Sequence, residues 1–406
     1  MKSDDEAIAS IIHEYLISDA TLCKICKYFS QNMEVLQFQN NFGSGTEAGD
    51  VVLAYLQKPY FKITLVRINF EGSHVLQQQC TMFTSQQFRS ERWLAERMCC
   101  VTLKFLRCHL PHLYDSGFTL PLVVQDYPYR FRELGILYEN ELRTAGIHDV
   151  CIKRTTEALA VLNFTSYFLN YSKKMNRTHL LASCYIGDTY SNFIKTNPMR
   201  AGLLECPYWN EVVQKTSFDS TVLDRFDRLI TADFIAENVR NVLVTMHKKG
   251  LLLTKYKGFS TLPESLQSHF QLNIDTLAHI VIDDGPQLSI AKLVISQEWQ
   301  LETTVEERRI IQKIIKAITN RSATLAAVPL IATVMNLIKE RKSSRYGQGF
   351  VSVGCNGNLI ETFPGYQEEF IKALVRSPLG PEIAKKVAIN IHTEAVEIGT
   401  ACLVYQ

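Results

Sequence analysis

Apolar residues at Ile8, Ile11, Ile12, Leu16, Leu22 and Ile25 recur near helical spacing and predict one helical stretch from about Asp5 to Leu36. After the turn-rich GSGTEAGD at 43–50 the pattern changes. Val51 to Leu56 and Lys62 to Asn69 run or alternate in apolar and β-branched residues on either side of Lys58 and Pro59, which predicts a β-hairpin. His74 and Gln77 to Gln79 carry no usable pattern. Leu120 to Val124 reads as a strand, Arg130 to Thr144 and Thr155 to Asn170 as helices, and Leu180 to Ile186 as a strand stopped by Gly187.

The second half is richer in helix. Thr231 to His247 is amphipathic and ends in Lys248, Lys249 and Gly250, a basic last turn followed by a helix stop. Residues 304 to 341 form a helical region opened by the capping sequence TVEE and interrupted at Asn320 and Pro329. Asp283, Asp284 and Gly285, after the apolar HIVI, read as a strand-ending turn rather than a metal or catalytic loop. A short strand at Val351 to Gly354 runs into a turn at Asn356 and Gly357, and a helix starts from Gly365. Val387 to Ile391 closes the series as a strand before a C-terminal helix from about Glu394. Strands alternating with helices in two blocks describe a two-lobed α/β protein.

Composition narrows the partners. Forty-three Lys and Arg against forty-one Asp and Glu leave a formal charge of +2, so no global field favours nucleic acid or a membrane surface. No run of 18 apolar residues occurs, since the stretch from Ala323 to Ile338 is broken by Thr324, Pro329, Thr333 and Asn336, and membrane insertion is not expected. Three acids in the first six residues and no apolar run of signal-peptide length imply a cytoplasmic chain. The eleven cysteines lack the paired spacing of a disulfide scaffold, and the lone CxxC at Cys23 and Cys26 has no second half, so reduced thiols and no metal site are expected.

The segment VGCNGNLIETFPGYQEEF, residues 353 to 370, resembles the adenosine region of the hexokinase family through Gly354, Asn356, Gly357, Phe363, Pro364, Gly365 and Tyr366. Other motifs follow in the family's order. AENVRNVLVTMHKKGLLL (236 to 253) is similar to its Gly-Glu-x-x-Arg-x-x-Leu helix through Glu237, Arg240 and Leu243. LPLVVQDYP (120 to 128) resembles its sugar-contacting strand and loop, and GDVVLAYLQKPYFKITLVRI (49 to 68) its first phosphate-binding hairpin. The resemblance implies the two-lobed actin-like ATPase fold of RNase H type. It also implies a helical segment at 1–48, a small domain at 49–154, a large domain at 155–390 and a C-terminal helix at 391–406 returning to the small domain. In active members it implies transfer of the γ-phosphoryl of Mg-ATP to the 6-hydroxyl of a hexose, which requires a carboxylate base and phosphate-holding turns.

At those chemical positions the chain departs from the family. Lys153 and Arg154 stand where the family has Asn and its catalytic Asp, and a guanidinium cannot accept a proton at neutral pH. In the first hairpin Gln57, Lys58 and Pro59 replace the Gly-Gly-Thr that lets backbone approach phosphate. The second phosphate turn corresponds to Gly187, Asp188 and Thr189, where Asp188 puts negative charge in the phosphate position. The adenosine Asp has become Asn356. The closing Gly-Ser-Gly is Ala395, Val396 and Glu397, while Gly399 persists.

Scaffold kept and chemistry lost is the pattern of a pseudo-hexokinase that senses a hexose or contacts a protein partner and uses no cofactor. Gly187, Asp188, Thr189, Gly354, Asn356 and Gly357 are then a nucleotide-site remnant, and Asp126, Glu205 and Glu211 are the candidate sugar contacts. Two other readings stand beside it: an active Mg-ATP-dependent hexokinase with Asp126 or Asp149 as a displaced base, and a purely structural interaction module.

Overall fold

The computed structural model describes residues 4–32, 49–57, 60–69, 73–83, 90–111, 120–125, 133–147, 150–155, 157–171, 180–188, 191–194, 226–342 and 351–403. By contacts the chain divides into two compact units. The first comprises Met1–Gln37, Cys184–Val351 and Gly357–Ala388, and the second comprises Phe38–Ser183, Ser352–Asn356 and Ile389–Gln406.

In the second unit, β1 (Gly49–Gln57), β2 (Tyr60–Ile68) and β3 (His74–Met82) form an antiparallel sheet in that order, and β4 (Leu120–Gln125) pairs in parallel with β5 (Val150–Thr155). The apolar run of β1 is continuous because both faces are covered. Val52, Ala54 and Leu56 pack with Phe61, Ile63 and Leu65 of β2 against α3 (Glu91–His109) and α4 (Leu134–Thr144). Val51, Leu53 and Tyr55 pack with Val66 and Ile68 against α5 (Glu157–Tyr171) and the C-terminal helix Ala395–Cys402, here α15. The result is a helix–sheet–helix sandwich, in which alternation is hidden because each residue parity meets its own apolar layer.

The first unit is organised by helices. One helix of 38 residues, Val305–Lys342 (α11), is packed by α2 (Asp19–Asn32), α6 (Asp227–Ile230), α7 (Ala232–Lys248) and α13 (Tyr366–Arg376). Around them lie α1 (Asp4–His13), α8 (Glu264–Gln267), α9 (Ile274–Ile282), α10 (Ser289–Glu298), α12 (Asn358–Thr362) and α14 (Gly380–Ala384). A four-stranded sheet runs in the order β7 (Ser191–Ile194), β6 (Leu180–Ile186), β8 (Val351–Asn356), β9 (Val387–Ile391).

Several sequence expectations are corrected. The N-terminal helical stretch is two helices, because the Ser18 hydroxyl accepts the Thr21 amide at 3.1 Å and starts α2 afresh. Residues 74–82 form a strand, β3, although none of its residues is buried. Residues 150–155, just ahead of the expected helix, form β5. The helix at 305–342 passes through Asn320 and Pro329 without ending. A proline removes one backbone hydrogen bond, and the packing of α2, α7 and α13 outweighs that loss. Asp283 closes a helix rather than a strand. Its carboxylate accepts the amides of Gly285 and Ala291 at 3.1 and 2.9 Å, joining α9 to α10. The TVEE capping box forms as expected, with Thr304 and Glu307 bonding reciprocally. The Val305–Asn336 portion is long and apolar enough to cross a membrane, but 89% of its most apolar 18-residue window is buried inside the fold.

Candidate functional site

The turns expected to hold a nucleotide are at the ends of β6 and β8. In the first unit Gly357, just after β8, has φ +120°, and a Cβ there would stand 2.1 Å from the Ile186 carbonyl oxygen at the end of β6. Gly187 and Asp188 follow Ile186 directly, so this close approach seats the two turns side by side. The Gly357 amide is not left free for a ligand: it donates to the Glu361 carboxylate at 2.7 Å. The next residue, Asn358, hydrogen-bonds the Asp188 carboxylate. A backbone cradle for phosphate needs free N–H groups and no competing charge. Here Glu361 takes the Gly357 amide, and the Asp188 carboxylate, held by the Asn358 side chain, adds negative charge beside it.

Charge accumulates at the same place. The Asp233 amide, in the first turn of α7, donates to the Asp188 carbonyl at 3.0 Å. Both residues are exposed. Partial burial raises the Asp188 carboxyl, the Asn358 hydrogen bond opposes that rise, and the Asp275 charge adds to it. Asp233 is pushed up to about 6, by burial first and by the Asp188 charge second. Asp188→Asn is expected to lower the Asp233 midpoint from about 6 toward the ordinary carboxylate range, read from its side-chain carbon shift in an NMR titration; an unmoved midpoint would mean that burial alone sets it. Because folding raises this carboxyl, its contribution favours the folded state increasingly as pH falls from 6 toward 4. Among the described residues no three His, Cys, Asp or Glu side chains gather to hold a metal ion. At the described turns Glu361 and Asp188 place carboxylates where phosphate oxygens would need donors.

The other expected remnants, in the second unit, serve packing. A Cβ on Gly354 would meet Thr165 Oγ1 at 2.1 Å, so β8 lies directly on α5. The Asn356 side chain donates to the His392 carbonyl at 2.8 Å. Gly399, on α15, would place a Cβ 1.8 Å from the Ala160 carbonyl, and Asn163 donates to the Gly399 carbonyl at 2.7 Å. These contacts fix the α5–α15 crossing.

At the first hairpin the β1–β2 ladder runs up to the pairing of Gln57 with Tyr60, and Lys58 and Pro59 lie outside the described residues. Beneath it the Lys62 ammonium lies 2.5 Å from Glu397 Oε1, and the Tyr55 hydroxyl donates to the same oxygen at 2.7 Å. All three groups are largely shielded from water, so the Glu397 charge is answered by Lys62 and satisfied by Tyr55. Sequence reading noted Glu397 only as the loss of a glycine. Its partners lie 335 and 342 residues away, and no local spacing signals them.

Lys153 and Arg154 fall at the C-terminal end of β5, paired with Val123 and Val124 of β4, two residues before α5 begins at Glu157. Lys153 and Arg154 thus lie where a strand leads into a helix. Gln125, which precedes Asp126, pairs with Thr155, whereas Val150, which follows Asp149, lies about 13 Å down the strand from Arg154. Asp126, Asp149, Thr189, Glu205 and Glu211 lie outside the described residues.

Comparison with known proteins agrees with the motif order. A family profile described as hexokinase matches residues 207–406. Glucokinase-1 of Saccharomyces cerevisiae is 35% identical over 228 residues, covering 56% of this chain and 43% of that protein. A protein of the same yeast, provisionally named glucokinase-2, is 24% identical over an alignment of 484 positions that covers 98% of this chain and 96% of the other. Over residues 207–406 the chain is similar to the hexokinase family. Its fold is the two-lobed hexokinase fold: the structure of the Schistosoma mansoni hexokinase in complex with glucose superposes with a TM-score of 0.78 over 99% of each chain, at 13% identity. A second hexokinase crystal structure gives 0.69 over 100% of this chain and 99% of that one. The match spans less than half the length of the S. cerevisiae glucokinase-1.

Proposed function

We propose that this hexokinase-like chain no longer transfers phosphate from ATP and acts instead by binding a hexose or a protein partner. The observation that carries this reading is the self-occupied turn, where Glu361 holds the Gly357 amide and the Asp188 carboxylate sits on Asn358. Each carboxylate takes a donor and adds negative charge that a nucleotide phosphate would have to displace. The position of Arg154 at the end of β5 supports it, since a cation replaces the base where strand leads into helix.

The second reading is an active hexokinase that uses Mg-ATP as family members do, with a displaced carboxylate as base. The β4–β5 register favours Asp126 over Asp149 for that role. Asp126 directly follows Gln125, the strand end that pairs with Thr155 next to Arg154, and ligands in α/β sheets gather at the carboxyl ends of strands.

One experiment separates the readings. The purified chain with glucose and Mg-ATP in a coupled assay is expected to yield no glucose 6-phosphate above blank, while glucose alone raises the melting temperature by mass action. Turnover that disappears in Asp126→Asn would establish the second reading instead. A melting temperature indifferent to a panel of hexoses would remove sugar binding and leave protein contact.

A further inference from the structure

We propose that the outward face of α3 lies on an anionic phospholipid surface, with Trp93 at the level of the headgroups and basic side chains reaching phosphates on either side. The helix divides cleanly along its length. Its eight buried residues fill one half of the circumference, against the sheet and α4. At about 100° per residue, Trp93 and Cys100 lie within about 20° of each other at the middle of the exposed half. Lys104 and Arg97 flank them on one side and Arg107 and Arg92 on the other, over a length of about 20 Å. Trp93 is 45% exposed. A second open apolar residue stands at the same end: Ile136, 56% exposed, is in the first turn of α4. The Glu133 amide, at the start of that helix, donates to the Glu91 carboxylate at the start of α3, at 3.1 Å.

Charge selects the class of occupant. The helix carries four Lys and Arg against two Glu, and both acids are engaged: Glu91 by the Glu133 amide, and Glu96 by Arg92 at 3.4 Å. Arg97 and Lys104 have no ion pair among the described residues. A chain total of +2 conceals this local excess, so the face attracts anions although the whole chain does not. The order of residues then narrows the anion. Cations on both sides of a central aromatic ring match the headgroup layer of a bilayer, where long basic side chains reach phosphate while an indole sits at the apolar boundary. A nucleic-acid backbone answers the cations but offers Ile136 no apolar contact, and lipid answers both. The inference is independent of the catalytic reading above.

The purified full chain is expected to co-float with phosphatidylcholine vesicles that contain phosphatidylserine and not with phosphatidylcholine alone, and to be released as NaCl is raised. Tryptophan emission should shift to the blue on the vesicles that bind, and the shift should vanish in Trp93→Ala. Arg97→Gln with Lys104→Gln should weaken binding about 25-fold, at about fivefold per cation. Both positions are exposed, so the melting temperature should hold. Lys248→Gln with Lys249→Gln, an exposed pair at the end of α7, should leave the affinity unchanged. No binding at any phosphatidylserine fraction overturns the proposal. So does a loss at Lys248 and Lys249 as large as that at Arg97 and Lys104, or a duplex oligonucleotide that is bound more tightly than the vesicles and displaces them.

Discussion

Arg240→Leu is expected to destabilise the chain by about 3–5 kcal/mol, the cost of stranding one partner of a buried ion pair. Arg240 and Glu237 lie one turn apart on α7, with side chains only 4% and 1% exposed. The guanidinium donates to both Glu237 oxygens at 2.8 and 2.6 Å and to the Leu266 carbonyl at 2.7 Å. The carboxylate in turn accepts the Phe270 amide at 2.8 Å and meets His269 Nδ1 at 2.7 Å. Together they pin the 266–270 segment, including Phe270 in the left-handed region at φ +58°. Burial works to raise the Glu237 carboxyl, but hydrogen bonds from Arg240, the Phe270 amide and His269 outweigh it and hold the group below its ordinary value. A depressed carboxyl stabilises above its unfolded value of about 4.3, and that contribution is lost as pH falls through the folded value. In Arg240→Leu burial prevails and acid sensitivity moves to higher pH. Urea midpoints at pH 7 and pH 5 check both points. A loss under about 1 kcal/mol with an unchanged acid limb would show that the pair does not hold the segment. The double replacement Glu237→Leu with Arg240→Leu should recover part of the loss, because it removes the stranded charge.

The same residues show what a sequence makes legible. Glu237, Arg240 and Leu243 stood out through the resemblance to a family motif, and their helix forms almost as expected, because amphipathic periodicity and the Lys248–Gly250 stop are local signals. The β1–β2 hairpin was legible for a different reason: both of its faces are buried, which forces a dense apolar run. Strand β3 gives no such run because it lies at an edge, and its glutamines need no apolar partner. The breaks expected at Asn320 and Pro329 did not occur, since tertiary burial of α11 overrides a local penalty. At the site, the motif residues Gly187 and Gly357 fold into the turns after β6 and β8, whereas β5 was not read as a strand. What fills them was invisible. Glu361 capping Gly357, and Glu397 answering Lys62 and Tyr55, are contacts made only by folding. The glycines misled for a related reason, because Gly354 is crowded by the Thr165 and Val161 side chains and Gly399 by the Ala160 backbone of α5, whatever the chain binds.

Gly357→Ala brings that point to a test, with an expected cost of about 2–6 kcal/mol. Two terms add. The backbone at φ +120° and ψ 150° lies in a region essentially reserved for glycine, which costs about 1–3 kcal/mol for any other residue. The new Cβ would also stand 2.1 Å from the Ile186 oxygen and 2.6 Å from its carbonyl carbon, so β6 and the turn must separate, an overpacking cost of about 1–3 kcal/mol. Gly365 supplies the control. It too has positive φ, +77°, but nothing lies within 4 Å of its Cβ position, so Gly365→Asn should cost about 1 kcal/mol or less. Urea unfolding of the two variants should therefore differ severalfold in lost stability. If Gly357→Ala folds as stably as the parent but loses a nucleotide-dependent melting shift, the glycine serves a ligand, and the self-occupied turn is wrong as an account of the site. If stability is lost as expected and ATP moves the melting temperature of neither parent nor Gly365→Asn, the glycine persists because β6 and β8 need it. Its presence is then no sign of nucleotide binding, and a chain can keep the family's most visible motif after the chemistry it once served is gone.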